Sequence, residues 1–130
     1  PRITLTPTLV LKEGKPVLGV SVAGGDGQDQ AGLQAVLNHI DFGLPASESV
    51  NSVRFGTNHH LGSFRQSPPQ LGSLLIHSDA PAETIAALEK LGHKVRPSGA
   101  LWAPSLIRID PTGQLNAAGD PRTGRHAGAY

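Results

Sequence analysis

Cysteine is absent from this 130-residue chain, and its absence excludes disulfide bridges and thiolate chemistry. Aromatic residues are scarce, since one tryptophan, one tyrosine and three phenylalanines offer no set of rings for stacking nucleic-acid bases. Excess charge is lacking as well, because eleven basic residues face ten acidic ones and the net charge is +1. No apolar run is long enough to span a membrane, and no signal peptide is visible. We therefore expect neither a nucleic-acid partner nor a membrane partner.

The residues that are present favour a globular protein with an aliphatic core. Hydrophobic residues make up 38% of the chain and charged residues 16%, a balance typical of soluble domains. The 16 glycines and 11 prolines predict many turns and short elements rather than long helices. At this length, residues 1–130 form a single domain or a fragment of a larger one. Pro1, in place of an initiator methionine, fits a processed chain or a fragment.

The first segment predicts a β-hairpin. Apolar stretches at 9–11 and 17–22 flank "KEGK", where Gly14 suits a tight turn that needs positive φ. Leu18, Val20 and Val22 alternate on one face of the second strand. The small residues on its other face predict a further layer packed close against it.

A helix is expected after the hairpin. Apolar residues recur at the spacing of one helix face and predict a single buried stripe, made of Leu33, Val36, Leu37 and Ile40. We expect Asp26 or Asp29 to cap the start of this helix and Gly43 to follow its end.

The rest of the chain alternates short strands and helices. The predicted order is a helix from Pro45, a strand at Arg54–Phe55, a polar loop over Gly56–Leu71, a strand at 73–77, a helix over Pro81–Leu91, a strand at 94–97 and a hairpin over 105–121 that turns at "DPTG". Ile85 and Leu88 are expected to face inward. This order predicts a mixed α+β fold with helices packed on a largely antiparallel sheet.

The stretch "AGGDGQDQAGLQ" places Gly24, Gly25 and Gly27 between a strand and a helix. It does not complete a dinucleotide-binding fingerprint, because Gln30 occupies the position of the third glycine, and no Gly-Lys-Ser/Thr follows as in a P-loop. Two further interpretations stay open. The glycines serve a tight strand-to-helix turn, or adjacent glycine N–H groups at a helix start hold an oxyanion during acyl transfer.

Three stretches occur in an order shared with a known family. They are "TPTLVLKEGKPVLGVSVAGGDGQDQAGLQAVLNHIDFGLPASESVNSVRF", "LEKLGHKV" and the ending "IDPTGQLNAAGDPRTGRHAGAY". Together they resemble the gamma-glutamyltranspeptidase family over nearly the whole chain. The resemblance implies part of an N-terminal-nucleophile hydrolase, in which two antiparallel sheets lie between helical layers in an α-β-β-α sandwich. It implies no metal and no organic cofactor.

The resemblance also implies roles for named residues. The Gly-Gly pair of the family, whose backbone N–H groups form the oxyanion hole, falls on Gly24 and Gly25. Two adjacent hydroxyl residues that hold the substrate's amino-acid end fall on Ile3 and Thr4. Thr4 keeps its hydroxyl and is expected to bind substrate, whereas Ile3 cannot make that polar contact, which departs from ordinary gamma-glutamyl specificity.

The family's nucleophile is a threonine exposed when a precursor cleaves itself, and no residue of this chain matches its context. The chain therefore resembles the C-terminal part of the small subunit. Its expected partners are the rest of the same precursor, namely the large subunit and the N-terminal part of the small subunit, and a gamma-glutamyl substrate. Made alone, the chain is expected to be inactive and to self-associate into homo-oligomers or a loosely packed species.

Two other functions stay open beside this one. Pro1 with a lowered pKa could act as the general base of a tautomerase, and the chain could be a non-catalytic binding module derived from the family. His59 and His60 are adjacent and fit a solvated loop better than a shared metal. Arg54 and Arg122 are expected to form structural salt bridges.

The remaining candidates are expected to be structural. Asp110 and Asp120 each precede a proline and are predicted to be turn residues rather than a catalytic pair. Trp102 is expected to cover an apolar edge or an interface.

Overall fold

The computed structural model describes residues 5–128 of the chain. Its elements are β1 (Thr8–Lys12), β2 (Lys15–Ala23), α1 (Gln28–Ile40), α2 (Ala46–Asn51), β3 (Phe55–Gly56), β4 (Ser73–His77), α3 (Ala82–Lys90), β5 (Lys94–Ser98), β6 (Ala103–Ile109) and β7 (Leu115–Gly119). Short 3₁₀ turns at Gly25–Gly27 and Pro121–Thr123 precede α1 and follow β7. The predicted order of strands and helices is confirmed.

Four strands form an antiparallel sheet in the order β1-β2-β6-β7. Leu18, Val20 and Val22 are buried on one face of it, as the alternation in β2 predicts, with Leu106 of β6 beside them. Helices α1 and α2 cover this face and complete the core with small residues, namely Ala31, Ala35, Ala46 and Val50. A second, smaller sheet has the order β3-β4-β5, in which β4 is antiparallel to β3 and parallel to β5.

The stripe predicted to be buried on α1 is confirmed only for Val36, which is half-buried against the core, and is wrong for its other three residues. Leu33 is 59% exposed, Leu37 37% and Ile40 49%. Ala31 and Ala35 face the sheet instead, because their short side chains let the helix approach it closely. A β-carbon built on Gly32 would lie only 3.7 Å from Cγ2 of Val22. Leu33, Leu37 and Ile40 consequently lie on the side of α1 away from the core.

The predicted turns are confirmed where glycine is needed. Gly14 has φ 76° in the β1–β2 turn, and Gly43 has φ 67° after α1. The prediction that Asp26 or Asp29 caps α1 is wrong, since the capping residue is Gly27, which has no side chain to cap with. In α3, Ile85 and Leu88 are half-buried and the residues around them are exposed.

Within residues 5–128, no helix packs on the face of the four-stranded sheet opposite α1. A groove of about 520 Å³ runs across this face, lined by residues of β1, β2, β6 and β7 and by the tail at 126–128. Leu9 and Leu115 on this face are 63% and 60% exposed. The further layer that the small residues of β2 predict is not among residues 5–128. Every helix in that range falls short of the length and apolarity needed to cross a bilayer.

Candidate functional site

The glycine turn lies where β2 ends and α1 begins. Gly24 has φ 142° and ψ 22°, and Gly25 has φ 67°, both conformations that residues with a β-carbon rarely adopt. The chain then makes one 3₁₀ turn, and the Gln28 N–H donates to the Gly25 carbonyl. Glycine is therefore needed at both positions for backbone geometry alone.

The two glycine amides are available as donors. Within residues 5–128, neither the Gly24 N–H nor the Gly25 N–H donates a hydrogen bond. Gly24 is exposed and Gly25 is half-buried. Adjacent unbonded N–H groups just before a helix favour an anionic atom, because the N-terminal end of a helix carries partial positive charge.

The indole of Trp102 fills a cradle made by three glycines, a contact that the sequence did not predict. A β-carbon built on Gly24 would lie 2.5 Å from Cδ1 of Trp102, one on Gly27 1.8 Å from Nε1, and one on Gly56 2.3 Å from Cη2. Any side chain at these positions would collide with the ring. Trp102 therefore packs directly against both ends of the glycine turn and against β3.

A buried ion pair holds the residue before Trp102. The guanidinium of Arg54 pairs with the Asp120 carboxylate, and both side chains are almost fully buried. The Arg54 Nε–H donates to the Leu101 carbonyl at 2.9 Å, so the pair also fixes the peptide that presents the indole. The predicted structural role of Arg54 is thus confirmed, and Asp120 does more than form a turn.

Arg122 takes part in the same network. Its side chain donates to Asp79 at 2.8 Å and to the Asn51 carbonyl at 3.0 Å, and its backbone N–H donates to Asp120 at 2.9 Å. The structural salt bridge predicted for Arg122 is confirmed, with Asp79 as the close partner.

Two glutamines of α1 attach β3 to the helix. The side-chain amide of Gln34 both donates to Phe55 O at 2.7 Å and accepts from Phe55 N at 3.1 Å. Gln30 does the same with Thr57, at 3.0 Å and 2.8 Å. The two glutamines are one helical turn apart on α1, and their backbone partners are two residues apart in the chain. Each side-chain amide therefore donates one backbone hydrogen bond and accepts one, as a neighbouring strand would. Gly56 is held between them against the indole.

A family model described as gamma-glutamyltranspeptidase matches residues 1–130. The chain belongs to the gamma-glutamyltranspeptidase family. It is 34% identical over 123 residues to the glutathione hydrolase proenzyme of Escherichia coli strain K12, a match that covers 95% of this chain and 20% of the relative. It is 31% identical over 94 residues to the glutathione hydrolase proenzyme of Bacillus subtilis strain 168, covering 72% of this chain and 14% of the relative.

Solved structures agree with the family model. A mutant gamma-glutamyltranspeptidase of Helicobacter pylori matches with a TM-score of 0.76 and 26% identity, over 94% of this chain and 62% of that one. The fold is accordingly that of part of an N-terminal-nucleophile hydrolase, α+β with a mostly antiparallel sheet. The chain spans about a fifth of the length of the E. coli relative, which is a proenzyme with a larger chain.

The loop over residues 57–71 lies against the glycine turn of this chain. The Ser63 N–H donates to Oδ2 of Asp26 at 2.6 Å, and Nε2 of His60 lies 4.0 Å from the same oxygen. Cε2 of Phe64 lies 3.0 Å from a β-carbon built on Gly25. His59 is exposed, as expected of a solvated loop, whereas His60 is half-buried and faces Asp26.

Other candidate residues have separate places. Thr4 and Pro1 lie outside the described residues, so their predicted roles stay predictions.

Asp110 accepts hydrogen bonds from the Thr112 hydroxyl and from two backbone N–H groups. The Thr112 bond is the main cause that lowers the pKa of Asp110 below 3.8. Its predicted turn role is confirmed. Among residues 5–128, no three histidine or carboxylate side chains gather as a metal site would require.

Proposed function

We propose that this chain is part of a gamma-glutamyltranspeptidase-like enzyme that transfers or hydrolyses gamma-glutamyl groups through a threonine acyl-enzyme. In this proposal the chain supplies the oxyanion-hole loop and one wall of the pocket. The observation that carries it is that the adjacent N–H groups of Gly24 and Gly25 donate no hydrogen bond within residues 5–128. The two glycines are also the residues that resemble the family's Gly-Gly pair. Thr4 would help to hold the amino-acid end of the substrate.

The reaction needs charge stabilisation at this point. A threonine supplied by the rest of the precursor attacks the gamma-carbonyl carbon, while its own α-amino group takes the hydroxyl proton. The carbonyl oxygen becomes an oxyanion and accepts hydrogen bonds from Gly24 and Gly25. The tetrahedral intermediate then expels the amine, which takes the proton, and leaves an acyl-enzyme for water or an acceptor amine. Each oxyanion donor of this kind is worth about 3 kcal/mol in the transition state.

The expected partner is the remainder of the same precursor, its large subunit and the N-terminal part of its small subunit. Two observations support it. The chain spans about a fifth of a relative that is a proenzyme. The open sheet face also keeps large apolar residues such as Leu9 and Leu115 exposed, and apolar area of this kind favours burial against another layer.

Gly25→Ala in the processed enzyme that contains this chain tests the oxyanion role. The left-handed φ of 67° disfavours alanine, and its β-carbon would push against Phe64, so the N–H should leave its position. Using a chromogenic gamma-glutamyl anilide, we expect kcat to fall by about 10²-fold, the scale of losing one donor.

Gly14→Ala is the matched control. Gly14 has a similar φ of 76°, with no atom within 4 Å of a built β-carbon, in a turn at the other end of β2. We expect it to weaken folding slightly and leave kcat within about twofold, because it lacks contact with the site. A Gly25→Ala enzyme that keeps wild-type kcat, or a wild-type enzyme without turnover of the anilide, would refute the proposal.

A further inference from the structure

Phe64 is an exposed aromatic ring placed on one of the two proposed oxyanion glycines. Its Cε2 lies 3.0 Å from where a β-carbon of Gly25 would be, yet the residue is 62% exposed. A ring in this position touches the glycine with one edge and leaves most of its surface facing outward. It is therefore in reach of any group bound beside Gly25.

The loop around Phe64 is held in this arrangement by several contacts. Ser63 is tethered to Asp26 at 2.6 Å, and the Gly62 N–H donates to Ser67 O at 2.8 Å. The next two residues, Arg65 and Gln66, have φ of 59° and 49°. Left-handed backbone is unfavourable for residues with a β-carbon, and it persists only where the surroundings enforce it. The position of Phe64 is thus built into the loop.

We infer that Phe64 is a specificity-determining residue that forms an apolar wall beside the reacting carbonyl. The inference rests on the proposed function, because it places the carbonyl oxygen at the Gly24 and Gly25 N–H groups. Phe64 would favour acyl donors whose leaving group is aromatic or apolar over donors whose leaving group carries a carboxylate.

The leaving group is the part of the substrate that this wall can distinguish. The acyl part is common to all gamma-glutamyl donors, whereas the group on the other side of the scissile bond varies. An aromatic leaving group gains ring contact with Phe64. A carboxylate gains no comparable contact from the ring, whose face is partly negative.

The test compares two donors on the processed enzyme that contains this chain, gamma-glutamyl anilide and gamma-glutamylglycine. Phe64→Ala should lower kcat/KM for the anilide by about tenfold and for gamma-glutamylglycine by less than about twofold, since only the first loses an aromatic contact. Phe64→Tyr keeps the ring and should retain the wild-type ratio of the two values. Phe42→Ala is the matched control, because Phe42 is also an exposed ring, 72% exposed, but lies beyond the far end of α1.

Each outcome bears on the inference. Equal losses for both donors would mean that Phe64 only supports the turn, and no loss would mean that its ring does not contact the substrate; either result overturns the inference. A parallel pair, glutaryl anilide and glutarylglycine, separates it from the proposed function. If the wild-type enzyme turns over only the glutaryl pair, the proposed gamma-glutamyl specificity is wrong. The effect of Phe64→Ala on the two leaving groups can then still be measured with the glutaryl donors. If wild-type enzyme turns over neither pair, both proposals fail.

Discussion

Replacing Gly27 by alanine tests whether the Trp102 indole fixes the glycine turn. The new β-carbon would lie 1.8 Å from the indole Nε1, about half of a normal contact distance, so the ring must leave. Gly27 has φ −91°, which alanine adopts without strain, so the cost is steric alone. Complete removal of a buried tryptophan side chain costs about 3–5 kcal/mol. Because Trp102 is half-buried, we expect Gly27→Ala to destabilise the fold by about 2–3 kcal/mol.

The measurement is urea unfolding followed by far-UV circular dichroism, with tryptophan emission of the folded state as a second signal. Trp102 is the single tryptophan of the chain, so a shift of emission to longer wavelength reports loss of the cradle directly. Gly14→Ala is the control, since it combines unfavourable φ with open space and should cost about 1 kcal/mol without changing the emission.

A double-mutant cycle decides the mechanism. Once Trp102→Ala has removed the ring, adding Gly27→Ala should cost almost nothing, giving a coupling energy of about 2–3 kcal/mol. Additive effects of the two substitutions, or unchanged emission in Gly27→Ala, would refute the proposed contact.

Two further predictions concern contacts away from the turn. Asp120→Asn should lower the free energy of unfolding by about 3–5 kcal/mol in urea titrations, because it leaves the buried Arg54 guanidinium without its counter-charge; a loss below about 1 kcal/mol would contradict this. The Thr112 hydroxyl holds the Asp110 pKa below 3.8, so this carboxylate stabilises the fold above that pH and the contribution disappears as pH falls through the lowered value. Thr112→Val should move the Asp110 pKa back upward in an NMR titration, and an unchanged pKa would argue against the Thr112 bond as its main cause.

The order of elements could be predicted from the sequence because it depends on local patterns. Alternation in β2 placed Leu18, Val20 and Val22 correctly on the buried face, and glycine at position 14 marked the first turn. The cap of α1 was predicted wrongly since an aspartate near a helix start has other possible partners. Asp26 accepts a hydrogen bond from the N–H of Ser63, a residue 37 positions away, and Gly27 occupies the cap position.

The contacts that shape the candidate site were harder to predict, because they join distant parts of the chain. The glycine turn is visible in the sequence, but its packing depends on Trp102, which lies far beyond it. Arg54 reaches Leu101 across 47 positions, and Gln30 reaches Thr57 across 27. The chain has a single tryptophan and 16 glycines, and their positions in the sequence do not indicate which glycines the tryptophan contacts. Such pairing follows only from the topology that brings β6 next to β2.

The misplaced stripe on α1 and the open sheet face have one explanation under the proposed function. Periodicity identifies apolar surface but not the element that covers it, and Leu33 and Ile40 lie on the side of α1 turned away from the sheet. Leu9 and Leu115 lie on the side of the sheet turned away from α1. One helical layer and one sheet layer therefore each carry an uncovered apolar surface, as expected of two layers taken from an α-β-β-α sandwich. Burying side chains of this size yields about 1.5–3 kcal/mol each, so assembly with the rest of the precursor would supply stability that this chain lacks.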